Sequence, residues 1–155
     1  AGNATTALPY LEAAAAAGLQ RPRANYELGR LRLEQARANP EGADGRLSIT
    51  QTAWVLSPLF AARAGRPALP EVYELIGEAW AASAATPTRG HLAVRDEGVR
   101  LFPRRPALVL RAAELNLRHG FRAEAAALVE IGALIAPDDA SRERAAALKA
   151  QLTAR

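Results

Sequence analysis

The chain repeats itself after 34 residues, and this interval constrains its fold more than any other feature. The segment GVRLFPRRPAL (98–108) returns as GALIAPDDASR (132–142). Gly98 falls on Gly132, Leu101 on Ile135 and Pro103 on Pro137. Each match has a mechanical reason. A small residue at Gly98 or Gly132 lets the next helix approach closely. Proline ends a helix because it lacks an N–H and disfavours helical geometry in the residue before it. Residues 107–137 read as two helical runs joined by a tight turn at His119-Gly120. The first is apolar at Leu108, Ala112, Ala113 and Leu115, the second at Ala125, Leu128, Val129, Gly132 and Ile135. That is close to the spacing of an amphipathic helix. Neither helix buries such a face alone, so the pair must lean on neighbours, and hairpins that do so repeatedly form a solenoid.

The period is that of the tetratricopeptide unit, and the residues at its key places resemble that family. Its first helix carries a bulky residue, a Leu-Gly pair and an aromatic. Tyr73, Ile76-Gly77 and Trp80 stand at that spacing. The next unit has Val109, Ala112-Ala113 and Asn116 there, Gly120 in its turn, and Ala125, Val129, Gly132 and Pro137 on its second helix. An earlier copy has Asn25, Leu28-Gly29 and Arg32, followed by a longer insertion. The resemblance covers 69–155 well and 23–64 loosely.

The resemblance implies an all-α, right-handed α-solenoid of antiparallel helix pairs, TPR-like, with seven or eight helices in a single domain over 1–155. Divergent N-terminal helices would occupy 8–64, repeats 69–103 and 106–137, and a capping helix 138–154. In the family, first helices line a concave groove that receives a peptide or another domain. Carried over by spacing, the groove positions are Tyr26, Arg30, Glu74, Glu78, Leu110, Glu114 and Arg118. The family subset that clamps a terminal carboxylate uses lysine and asparagine. Here that lysine is missing and the groove is mixed in charge.

Composition agrees with the class. Half the residues are apolar but only 5% are aromatic. Alanine dominates, and it is the best helix former. Alanine-rich seams bury little per contact, so the few large side chains should matter more than usual. There is no cysteine, hence no disulfide or thiol chemistry. No apolar run approaches the roughly 20 residues of a membrane helix, so no membrane insertion is expected. The absence of methionine and the AGNATT opening read as an excised or processed C-terminal part of a larger bacterial protein, its targeting residues upstream and its compartment unknown. The net charge is +4, carried almost wholly by arginine. Together with the alanine it reads as the imprint of a GC-rich genome.

In chain order, 1–6 reads as a frayed terminus. A short helix over 8–17 follows, with Pro9 in its first turn and Gly18 as its stop. An amphipathic helix spans 24–38 and a loop 39–45. Ser48 and Gln51 form a capping-box pattern at the next helix, in which Pro58 predicts a kink or break. Helices follow over 69–85 and 91–102, then the 107–137 hairpin. Asp138-Asp139 offers N-cap oxygens to a last helix.

Catalytic patterns are sparse. Glu71, Glu74 and Glu78 share one helix face, which reads as a solvated acidic stripe rather than an acid–base pair. His91 and His119 lie on different helices without metal-ligand spacing to Asp, Glu or Cys. His119 suits a helix C-terminus, where donors meet free carbonyls. No nucleophile elbow or phosphate-binding loop is present. No cofactor or metal is expected. Arg21, Arg23, Arg30, Arg32 and Arg37 cluster, as do Arg100, Arg104 and Arg105. However, Glu12, Glu27 and Glu34 interleave with the first group, and Glu27–Arg30 and Arg30–Glu34 are expected ion pairs. Nucleic-acid binding therefore ranks below two other readings. The first is a non-catalytic module receiving a protein or peptide partner. The second is a scaffold that packs on an upstream domain or a second copy.

Overall fold

Among the described residues the chain forms eight α-helices and no strand. The computed structural model describes residues 2–18 and 21–154, with side chains from residue 7 on. The helices are α1 (Gly2–Ala16), α2 (Pro22–Ala38), α3 (Ile49–Ala64), α4 (Pro70–Ala82), α5 (Arg89–Leu101), α6 (Pro106–Arg118), α7 (Arg122–Ile135) and α8 (Asp139–Thr153). A single 3-10 turn, Ala43–Gly45, lies before α3.

The ends of these helices follow local chemistry. Pro22, Pro70 and Pro106 each sit in a first turn, where a missing N–H costs nothing. The Ser48–Gln51 capping box forms as the sequence predicts. The Ser48 hydroxyl accepts from the Gln51 N–H at 3.1 Å, and the Gln51 Oε1 accepts from the Ser48 N–H at 3.1 Å. Asp138 caps α8, accepting from the Ser141 N–H at 2.7 Å. Gly18 closes α1 with a φ of +83° and Gly120 closes α6 with +84°, a backbone conformation open to glycine. At Gly120 both bonds of a Schellman ending are made: Phe121 N–H to the Asn116 carbonyl at 2.9 Å, and Gly120 N–H to the Leu117 carbonyl at 3.1 Å.

Four expectations change. α1 begins at Gly2, so 2–6 is helical rather than frayed and Pro9 is interior. α3 runs unbroken through Pro58, whose ring is buried. α4 stops at Ala82 because the following strand-like residues pair elsewhere: Leu47 N–H donates to the Ala82 carbonyl and Ala84 N–H to the Leu47 carbonyl, both at 2.9 Å. α5 opens at Arg89 on a second capping box, in which Thr88 Oγ1 accepts from the His91 N–H and His91 Nδ1 accepts from the Thr88 N–H.

The chain divides into two compact units, Ala1–Thr86 and Pro87–Arg155. The division falls inside the stretch 69–103, so α4 and α5 belong to different units.

In the first unit α2 packs on α1, α3 and α4, and α3 packs on α4. The approach of α2 to α3 is set by glycine. A Cβ on Gly29 would run into the Leu59 side chain, with Cγ only 2.6 Å away, and one on Gly65 would meet the Pro22 ring. Because Gly65 follows α3 and Pro22 opens α2, the two helices run antiparallel. The bridge between Leu47 and Ser83 likewise ties the start of α3 to the end of α4. Behind it a buried hydroxyl chain forms. Thr52 Oγ1 lies 2.8 Å from the Ser48 carbonyl and 2.7 Å from Ser83 Oγ, which itself accepts from the Ala85 N–H at 3.0 Å. One hydroxyl proton donates once, so Thr52 donates to Ser48 and accepts from Ser83. Tyr73 and Trp80 are both buried.

In the second unit α6 packs on α5, α7 and α8, and α7 packs on α8. Its core gathers Leu110, Ala113, Val129, Ala145 and Leu148, with Leu117, Leu128 and Leu152 against it. Gly132 again permits the closest approach: a Cβ there would meet Leu110, with its Cγ at 3.0 Å.

Candidate functional site

The second unit carries a cleft of about 670 Å³ lined by Glu114, Leu117 and Arg118 of α6, Arg122 of α7, and Arg144 and Leu148 of α8. The hairpin turn at Gly120 and the cap at Asp138 bring these three helices to one place. Glu114 is the centre of charge. Arg144 Nε donates to its Oε1 at 2.5 Å and Arg111 Nη1 to its Oε2 at 2.8 Å, so both carboxylate oxygens are engaged. Burial alone would raise the Glu114 carboxyl. The hydrogen bond from Arg144 and the charges of Arg111, Arg144 and Arg118 outweigh it and hold the group below its ordinary value.

Arg122 has a different task. Its Nη2 donates to the carbonyls of Leu152 at 2.6 Å and Ala154 at 3.1 Å, and reaches that of Gln151 at 3.4 Å. A cation over the last carbonyls of a helix is where the helix dipole favours it. One guanidinium of the lining thus ties the start of α7 to the end of α8, while Arg111, Arg118 and Arg144 surround one carboxylate.

The groove residues predicted from spacing divide. Glu114 and Arg118 line this cleft together. Leu110 does not belong to a groove: it is 1% exposed, covered by Val129, Ala145 and Leu148. Tyr26 and Arg30 lie on α2, and Glu74 and Glu78 on α4, within the first unit. Tyr26 is half-buried under the Arg23 guanidinium, 5.1 Å from its ring centroid. Burial first, then the charge of Glu27, pushes its hydroxyl above the ordinary value. Arg30 holds both expected ion pairs, to Glu27 at 2.8 Å and Glu34 at 2.5 Å. Glu78 meets Arg37 at 3.2 Å. The arginines of the first third are therefore largely spoken for.

The charge sits elsewhere than that cluster suggests. Residues 1–86 hold eight arginines against eight carboxylates, whereas 87–155 hold twelve cations against eight carboxylates. The whole excess belongs to the unit that carries the cleft.

Two arginines of interest escape a reading of the sequence. Arg144 lies on α8, read there only as a cap. Arg95 of α5 is 1% exposed. Its Nη2 donates to the Ala112 carbonyl at 2.9 Å, and its Nε and Nη1 have no hydrogen-bond partner among the described residues. Burial pushes its guanidinium down to about 10, against a smaller opposing effect of Asp96.

Among the described residues no group of three His, Cys, Asp or Glu is placed to hold a metal, and no helix is long and apolar enough to cross a membrane. His91 is occupied in the cap of α5, and His119 is the C-cap residue of α6. No family model, curated protein or solved structure matches the chain.

Proposed function

We propose that the chain is a non-catalytic, TPR-like interaction module, a right-handed α-solenoid whose first helices receive an acidic peptide or domain segment of a partner protein. One observation carries the reading. Glu114 and Arg118, assigned to a groove by repeat spacing, line one cleft, and Arg144 of the next first helix joins them. The packing of α2 on α4 and of α6 on α8 supports the solenoid, since alternate helices of stacked hairpins share a layer. Three guanidinia around one carboxylate leave positive charge for a ligand to neutralise. Charge-assisted bonds to carboxylates are among the stronger polar contacts. The preformed cleft lowers the ordering cost of binding.

The test is peptide display against the whole chain, followed by anisotropy with the selected sequences. Enrichment of acidic peptides whose affinity falls at least about tenfold in Arg144→Ala or Arg118→Glu supports the reading. Selected peptides whose binding ignores both substitutions would sink it.

A self-association scaffold is the second reading, favoured by the outer face of α7, where Leu134 is 87% exposed and Ile131 41%. Light scattering separates the two: a dimer dissolved by Leu134→Glu supports the scaffold.

A further inference from the structure

A second groove, in the first unit, has the opposite chemistry. Two adjoining hollows of about 630 and about 340 Å³ share Gln35, Asn39 and Trp54, and together they run from α1 across α2 to α3. Their apolar lining includes Leu8, Leu31, Ala38 and Trp54. Three carboxylates line them, Glu12, Glu34 and Glu41, and neither hollow is lined by a lysine or arginine. This acidic lining stands out on a chain of net charge +4.

The wall of the groove is held rigid from behind. The Arg32 guanidinium stacks on the Trp54 ring at 4.9 Å and grips Glu12 with two bonds, of 2.9 and 2.5 Å. Two exposed apolar side chains stand next in sequence to the lining. Tyr10 is 76% exposed and Ile49 72% exposed, and they are the chain neighbours of the lining residues Pro9 and Thr50. Glu34 meets Arg30 only as an exposed pair, and such pairs are weak enough to exchange partners.

We propose that this groove docks a short amphipathic segment of a partner protein, its leucine-like side chains on Trp54 and Leu8 and its lysines or arginines facing Glu34 and Glu41. Charge complementarity selects this occupant: Glu41 has no ion pair among the described residues and Glu34 only an exposed one, so a cationic segment finds carboxylates to meet where an acidic one is repelled. The site is independent of the cleft between α6 and α8.

The experiment uses the full chain and three labelled peptides read by anisotropy: an amphipathic leucine–lysine helix, its leucine–glutamate counterpart, and a lysine–serine peptide of equal charge. The net charge of the protein works against the expected result, which makes it informative. The leucine–lysine peptide should bind at least about tenfold tighter than either control. Ala38→Trp, which fills the groove from its exposed edge, should abolish that binding with helicity unchanged by circular dichroism. Should Ala38→Trp fail to fold, Glu34→Gln/Glu41→Gln carries the same test from the surface. Equal binding of the leucine–glutamate peptide overturns the proposal, as does binding that ignores these substitutions. A dimer abolished by Ala38→Trp, with no peptide bound, also overturns it and makes a second copy the occupant.

Discussion

Arg32 gives the Trp54 carbonyl the hydrogen bond that Pro58 cannot. In a helix the N–H of residue 58 would donate to the carbonyl of residue 54. Pro58 has none, yet α3 continues through it. Arg32 Nη1 of α2 donates to that carbonyl at 2.7 Å. A side chain 22 positions earlier thus repairs the helix at the point where proline would weaken it.

The repair predicts a coupling. Arg32→Met should destabilise the chain by about 1–3 kcal/mol, since it strands a carbonyl and releases Glu12. In a Pro58→Ala background the new N–H serves the carbonyl, so the same change should cost about 1 kcal/mol less. The Glu12 contribution is common to both backgrounds and cancels. Urea unfolding of the four proteins measures the cycle; strict additivity would disprove the link.

Arg95 predicts a gain from losing a charge. Its guanidinium is buried with one hydrogen bond, and among the described residues it has no ion pair, only the weaker through-space effect of Asp96. The Ala112 carbonyl it serves also accepts from Asn116 Nδ2 at 3.1 Å, so removing Arg95 orphans nothing. Arg95→Leu should raise stability by about 1–4 kcal/mol, as replacement of buried ions by apolar residues often does. The sign of the pH dependence agrees. Because the folded value is lowered to about 10, below that of an exposed arginine, the penalty is complete at neutral pH and relieved only as pH rises above about 10. Calorimetry of the variant at neutral pH checks the prediction; a lower melting temperature would contradict it.

What the sequence reveals and what it hides follow the range of the interactions. The Ser48–Gln51 box, the Asp138 cap, the Gly120 turn and the Glu27–Arg30–Glu34 pairs all lie within a few residues, and each forms. Helix count and class were legible for the same reason. Leu110 was misplaced because spacing gives a face, not what covers it; α7 and α8 close over it. Arg95 is hidden in the sequence because arginine ordinarily stays solvated. Arg144 joined the cleft only through the packing of α8 on α6. The Thr88–His91 box carries no clear sequence signal because histidine is not the usual partner at that position.

The close approaches predict that glycine substitutions will split by site. Alanine in place of a helical glycine ordinarily stabilises by about 1 kcal/mol. Gly90 of α5 is open, with only Thr88 Oγ1 near, at 3.7 Å, and Gly90→Ala should show a gain of about 0.5–1 kcal/mol. Gly29→Ala and Gly132→Ala must displace the buried Leu59 and Leu110 side chains. Both should lose about 1–3 kcal/mol despite their better propensity. Denaturant midpoints for the three variants decide the matter; a gain at Gly132 would mean that α6 and α7 are not held at the distance described.

Glu114 predicts how the second unit responds to acid. Its carboxyl, held below the ordinary value by Arg144, Arg111 and Arg118 against the pull of burial, takes up a proton less readily folded than unfolded. The unfolded chain therefore binds more protons as pH falls, and stability falls with it. The contribution is whole above the ordinary value of 4.5 and disappears as pH drops through the lower folded value. Glu114→Gln removes the titrating group while keeping an acceptor for Arg144. The variant should be less stable than the parent at neutral pH and should lose less stability on acidification, so the two curves converge. Asp138, held low first by the Ser141 backbone N–H, acts in the same direction at the start of α8, and it remains in both proteins. Thermal melts followed across the acid range give both curves. Parallel curves would show that the arginines around Glu114 do not stabilise its charged form, and the charge balance argued for the cleft would fail with them.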